Sequence, residues 1–220
     1  YFLGGPFSLE VRKEIDEKRP GINLEVKDVK LKGSVDLEVY KNVELKDLKG
    51  KTTVSLGEGY SGMAAYLYLI HGIEIKSLDY SYNENYSTDI KLSDNEWYVM
   101  PNEIYNCYKH KMKFADAFEL EKALDKSSVD YLFSFEMLCS LDNDSENLQT
   151  IFEGSFRALK KHGQARFFVV HKIDNKNIQE ALLHMKNKYG EHFEFGFATS
   201  EIEEKGIKIP NMRYIYFQKK

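Results

Sequence analysis

Thr52-Thr53-Val54-Ser55-Leu56-Gly57-Glu58-Gly59-Tyr60-Ser61-Gly62 opens the stretch on which the fold turns, and Asp79 closes it. The first five residues are rich in β-formers. Glycines at 57, 59 and 62 then follow in a G-x-G-x-x-G spacing. Residues 63–70 form an apolar run of helix formers, Gly72 ends it, and Ile73-Glu74-Ile75-Lys76-Ser77-Leu78 reads as a second strand running into Asp79. Strand, glycine turn, helix, strand and terminal acid together make a unit that holds a nucleotide. The glycines let backbone approach a ligand closely, the helix start offers free N–H groups, and the acid accepts hydrogen bonds from a ribose diol. The competing reading is a βαβ turn with no ligand.

Outward from this unit, the totals bound the rest. The chain has 220 residues, 42% hydrophobic and 30% charged, enough for one large domain or a domain with an extension. No apolar run nears the ~18–20 residues of a membrane span, so no membrane partner is expected. A formal net charge of −4, with no dense Lys/Arg stripe among aromatics, argues against nucleic acid. Cys107 and Cys139 share no metal or redox spacing, which suggests a reduced, cytoplasmic setting. The six histidines form no metal spacing either, and His184 and His192 read as solvated helix-end residues.

Residues 1–50 stand apart as an N-terminal extension, and residues 51–220 form the main domain. Phe7, Val11 and Ile15 fall on one face of a helix over residues 7–19, stopped by Pro20-Gly21. Alternating runs at 24–26 and 35–39 suggest half-exposed strands. The extension is either a cap over the ligand site or a structural preface. Residues 80–108 are an irregular connection rich in Tyr and Asn, including Trp97, either a substrate-facing lid or an insertion covering core.

Residues 111–115 read as a third strand, 118–126 as a short helix, and 129–135 as a fourth, central strand. Asn143 or Asp144 caps a long helix carrying Leu148, Ile151, Phe152, Ser155, Phe156 and Leu159 on one face. His162-Gly163 ends that helix before a fifth strand over 164–170. Residues 175–189 are helical up to Gly190. Two last strands, 192–197 and 213–217, are joined by an irregular loop over 198–211. Without a crossover helix between them they should pair antiparallel.

The order of elements and four short segments resemble the class I S-adenosylmethionine-dependent methyltransferases over about residues 50–220. Residues 54–62 resemble the glycine loop under the methionine half of the cofactor. Leu78-Asp79-Tyr80 resembles the segment whose acid takes the ribose hydroxyls, and Phe114-Ala115-Asp116-Ala117-Phe118 the Asp-Ala turn that reads adenine. Residues 158–164 resemble the Leu-Lys-x-Gly-Gly turn before strand five, with His162 in place of its first glycine. The resemblance implies an α/β, Rossmann-like three-layer α/β/α sandwich. Its seven-stranded, mostly parallel sheet ends in an antiparallel strand.

What the resemblance implies for the site follows segment by segment. Gly57, Glu58, Gly59 and Tyr60 belong to the methionine and ribose side of S-adenosylmethionine, and Asp79 to the ribose hydroxyls. Tyr80 lies against adenine, Asp116 and the Ala117 amide meet its edge, and Ser134 ends strand four near the methyl group. Glu136 is a polar candidate beside the methyl donor, with a surface salt bridge as the alternative. No metal is implied. The family's acid two residues before the first glycine is Ser55 here; Glu58 is placed to supply that negative charge near the cofactor's cation. Ser140 stands where many small-molecule relatives have histidine, and no Asn/Asp-Pro-Pro-Tyr turn is present.

Methyl transfer from a sulfonium is an in-line displacement that needs orientation first and a base only for a protonated acceptor. The reading is therefore methyl transfer to a small-molecule acceptor whose identity the residues leave open, as they do the oligomeric state. A non-catalytic cofactor-binding or interaction module is the alternative from another class. An NAD(P)-binding Rossmann protein is the third, since GEGYSG and a downstream acid satisfy its fingerprint literally.

Overall fold

The computed structural model describes residues 45–57, 63–82, 102–135, 137–141, 144–169, 175–204 and 207–220. Residues 1–44, which hold the extension's helix and strands read above, lie outside them, as do 83–101 with Trp97. Seven strands form one sheet: β1 (Thr53–Leu56), β2 (Ile75–Asp79), β3 (Met112–Phe114), β4 (Val129–Phe135), β5 (Leu159–Val169), β6 (Phe193–Glu204) and β7 (Ile207–Lys219). Their order is β3-β2-β1-β4-β5-β7-β6. The first five strands run parallel, and β7 is antiparallel to both neighbours, β5 and β6. This is the α/β sheet expected above. An all-parallel dinucleotide sheet does not end in such a hairpin.

Central position explains the composition of β1, whose four residues are all buried between two parallel neighbours. Helices α1 (Leu45–Leu48) and α2 (Met63–His71) flank β1 in sequence. Leu48 is fully buried, and so are Ala64, Ala65 and Leu67 of α2. On the opposite face, α5 (Ser145–Ala158) starts at Asp144, whose carboxylate accepts the Asn147 amide at 2.7 Å. Such a cap contributes about 1 kcal/mol. It then buries Leu148, Ile151, Phe152 and Phe156 in a row, as their 3- and 4-residue steps require. Helix α6 (Asn175–Tyr189) adds Ile178, Ala181, Leu182 and Met185 to the same core. Phe152, Phe167, Phe193 and Phe217 meet there, with ring centroids 5.2 Å apart for Phe152–Phe167 and 5.4 Å for Phe193–Phe217. Each such buried ring is worth about 2–3 kcal/mol by area.

Several expected boundaries differ. Helix α5 ends at Ala158, and β5 begins at Leu159, so residues 159–163 are strand and not helix end. The pairing of β4 with β5 shifts there between Val129 and Tyr131, His162 has φ +64°, and a Cβ on Gly163 would lie 2.9 Å from the Val129 carbonyl. A tight bulge, closed by Gly163, has taken the place of the helix stop. Within the stretch read as irregular, Asn102–Tyr108 is a helix, α3. Tyr108 is fully buried and donates its hydroxyl to the Ile75 carbonyl at 2.7 Å. The expected helix over 118–126 is a 3-10 segment, Ala117–Lys122, kinked at Glu119.

The last two strands run far past the expected 192–197 and 213–217, pairing out to Glu204 and Ile207. Pro210 falls beside the register shift between Ser200 and Glu201, where a residue without an amide proton is tolerated. His184 stands inside α6 and not at its end; its side chain is 42% exposed, and its Nε2 lies 2.8 Å from Glu153 Oε1, tying α6 to α5.

Candidate functional site

Parallel strands bring their carboxyl ends to one edge of the sheet, and those sequence-predicted residues that fall among the described ones lie there. At the end of β1, Gly57 donates its amide to the Leu78 carbonyl at 2.8 Å and takes φ +71°. A Cβ at this position would sit 2.4 Å from the Cβ of Met137, the first residue of α4 (Met137–Ser140). Both the left-handed backbone and the close approach restrict position 57 to glycine.

At the end of β2, Asp79 Oδ1 accepts from the Ser81 amide at 2.7 Å and from the Ser81 hydroxyl at 2.5 Å. This Asx turn fixes the carboxylate's orientation. The Asp79 carbonyl accepts the Ala115 amide at 3.1 Å, which locks the ends of β2 and β3 together. Tyr80 follows, 65% exposed, its ring centroid 5.3 Å from that of Phe114, which is 47% exposed. Two large apolar rings left in solvent side by side are an unusual surface for a folded domain and offer a flat face to a planar partner.

Asp116 stands just past β3. Its Oδ1 accepts the Phe118 amide at 2.9 Å and caps the 3-10 segment, with Ala117 half-buried behind it. Capping occupies part of the carboxylate and holds it at the edge next to Asp79. Ser134, in register with Leu56 at the end of β4, is 1% exposed, and its hydroxyl has no hydrogen-bond partner among the described residues. Burying a hydroxyl unpaired is costly. Ser55 is buried too, between Ser77 and Phe133 in register, and its hydroxyl is likewise unpartnered among the described residues.

Gly57, Asp79, Tyr80, Asp116, Ala117 and Ser134 therefore share one edge, at the ends of four adjacent strands. Glu58, Gly59, Tyr60 and Glu136 lie outside the described residues. Three contributors were missed. Phe114 partners Tyr80, Ser81 orients Asp79, and Met137 packs against Gly57. The Asp-x-Ser spacing is a readable turn signal. The other two are contacts between distant segments. Among the described residues, no three His, Cys, Asp or Glu side chains are grouped to hold a metal, and no helix is long and apolar enough to cross a membrane.

Comparison with solved structures finds the same architecture. An S-adenosylmethionine-dependent methyltransferase of Methanosarcina mazei superposes at a TM-score of 0.52 with 15% identity, covering 77% of this chain and 92% of that one. A methyltransferase dependent on the same cofactor from Archaeoglobus fulgidus gives 0.51 and 14%, covering 83% and 91%. No family model and no curated protein matches the sequence. At this identity the likeness establishes the fold, the Rossmann-like fold of S-adenosylmethionine-dependent methyltransferases.

Proposed function

We propose that a chain with this fold binds S-adenosylmethionine at the carboxyl edge of its sheet and moves a methyl group to a small-molecule acceptor. The observation that carries the reading is the juxtaposition of Asp79 and Asp116 at the ends of adjacent strands, flanking the exposed Tyr80–Phe114 pair. A nucleoside asks for this combination: a carboxylate for a diol, a flat apolar face for a base, and a second polar group at the base's edge. The Ser134 hydroxyl, unpartnered among the described residues and in register with Leu56, also fits a polar ligand there. S-adenosylmethionine, when bound, supplies an activated methyl group on a sulfonium.

In this reading the Gly57 turn lets the chain pass close under the ligand. Asp79, held by Ser81, accepts from the ribose hydroxyls, Tyr80 and Phe114 take a face of adenine, and Asp116 with the Ala117 amide meets its edge. Glu58 contributes negative charge near the cofactor's cation, the task left open by Ser55, with Gly59 and Tyr60 completing that loop. Glu136 is the polar candidate near the methyl group. Orientation and exclusion of water do the remaining work. A cytoplasmic setting accords with the cysteine usage.

A non-catalytic nucleoside-binding module is the second reading, favoured by the buried, uncharged Ser55 where the family carries an acid. The terminal hairpin argues against an NAD(P) protein. Calorimetric titration with S-adenosylhomocysteine tests the shared premise, and absence of binding would sink both readings. Incubation with methyl-labelled cofactor and a metabolite pool then separates them, since label transfer marks an enzyme and binding without transfer marks the module. A Glu58→Gln variant that keeps full cofactor affinity would remove Glu58 from the site.

A further inference from the structure

The opposite edge of the sheet, where the strands begin, carries a cavity of about 560 Å³ between the starts of β1, β2 and β3. That volume suits a small ligand. Its lining includes Lys51, Lys76, Lys111, Lys113 and His110, with Glu74 as the one carboxylate. Five basic side chains around one concavity stand out in a chain whose net charge is −4.

Asp125, acting on Lys76, and Asp130, which accepts the Thr52 amide and feels Lys51, add two carboxylates just outside the lining, so five basic groups face three acids. Glu74 is bound by Lys111, whose ammonium also lies 5.5 Å from the centre of the Tyr68 ring. Lys76 places its amine 3.4 Å from the Ala123 carbonyl. Burial and then the neighbouring Lys113 charge push its proton affinity down, with Asp125 acting the other way. The side-chain ammoniums of Lys51 and Lys113 make no hydrogen bond or ion pair among the described residues. Thr52 and Thr53 add hydroxyls to the same wall. Like charges gathered in a concave, partly desolvated site raise the local potential and stabilise an anion that bridges them.

We propose that this cavity is a second ligand site, for a small molecule bearing a phosphate or pyrophosphate group. It stands across the sheet from Asp79 and does not depend on the methyl-transfer reading. The charges ring a hollow instead of tracking along a surface, which favours a small phosphate over a nucleic-acid backbone.

Calorimetric titration of the full chain with tripolyphosphate at low ionic strength is the test, with sulfate as the comparison ion. One-to-one binding is expected, tighter than for sulfate and weakening as salt is added. The Lys51→Glu/Lys113→Glu double variant changes only exposed side chains, and it should weaken tripolyphosphate binding by at least about tenfold. A Lys51→Gln/Lys113→Gln pair should give a smaller loss in the same direction. S-adenosylhomocysteine binding, if present, should be unchanged in both. The proposal fails if tripolyphosphate binds no better than sulfate, if both double variants bind it like the parent, or if S-adenosylhomocysteine displaces it. It also fails if a single-stranded oligonucleotide competes more strongly than tripolyphosphate.

Discussion

Where the strands of this sheet end, carboxylates and bare aromatic rings collect: Asp79 and Asp116 flank Tyr80 and Phe114. Where the strands begin, lysines collect instead, and the described carboxylate Asp130 acts as a fastener. Its Oδ2 accepts the Thr52 amide at 2.8 Å and the Lys160 ammonium at 2.7 Å, joining the approach to β1, strand β4 and strand β5. One sheet thus carries two different chemistries at its two edges. The carboxyl edge holds acids by local turns, through Ser81 and Phe118, and leaves apolar surface uncovered. The amino edge spends a charge on stitching strands of distant sequence.

The largest expected effect breaks the carboxyl edge. Gly57→Ala puts a Cβ into Met137 at φ +71°, and the left-handed strain and overpacking together should cost about 2–4 kcal/mol. Urea denaturation would show it, and a variant as stable as the parent would mean that the turn and α4 are not in contact. Next, Asp79→Asn keeps the shape but removes the charge, so S-adenosylhomocysteine affinity should fall about 10–100-fold with one charge-assisted hydrogen bond lost. Calorimetry reads this directly, and an unchanged affinity would detach Asp79 from the site.

The amino edge should answer to pH. Burial raises the Asp130 carboxyl's proton affinity, but the hydrogen bonds from Lys160 and the Thr52 amide outweigh it, and the net direction is below the ordinary value. A carboxylate so depressed contributes stability above its unfolded pKa of about 4, and that contribution drains away as pH falls through the folded value. Asp130→Asn should therefore cost about 1 kcal/mol at neutral pH, and the gap in urea midpoint should close on acidification. A gap independent of pH would overturn the fastening role. The smallest effect expected is a gain. His162→Gly, at φ +64° in the bulge of β5, should stabilise the chain by up to about 1 kcal/mol.

That histidine also marks what was legible in the sequence. His162 occupies a glycine-type backbone in a glycine-type position of the motif, so the turn was readable even though one residue departed from it. Reading His162-Gly163 as a helix stop misplaced the helix end, because the bulge depends on how closely Gly163 nears Val129, a residue more than thirty positions earlier. Strand β4 over 129–135, helix α6 over 175–189 and a cap at Asn143 or Asp144 were legible because each is set by local pattern, and Asp144 is the cap found. Helix α3 was hidden because its buried Tyr108 answers to the Ile75 carbonyl and not to any local period. The long β6–β7 hairpin was hidden by Pro210, which reads as a breaker until the register shift opposite it is known. At the carboxyl edge, Gly57, Asp79 and Asp116 at the strand ends could be read, whereas the Tyr80–Phe114 pair required knowing that β2 and β3 are neighbours.

Strand β7 lies between β5 and β6, and β6 has no other neighbour among the described strands. During synthesis, β6 leaves the ribosome before the segment that will anchor it, and the β5 flank stays uncapped until residues 207–219 emerge. This sheet thus closes last at an interior strand, and a stop near residue 206 would strand two hydrogen-bonding rims at once, a direct invitation to intermolecular pairing.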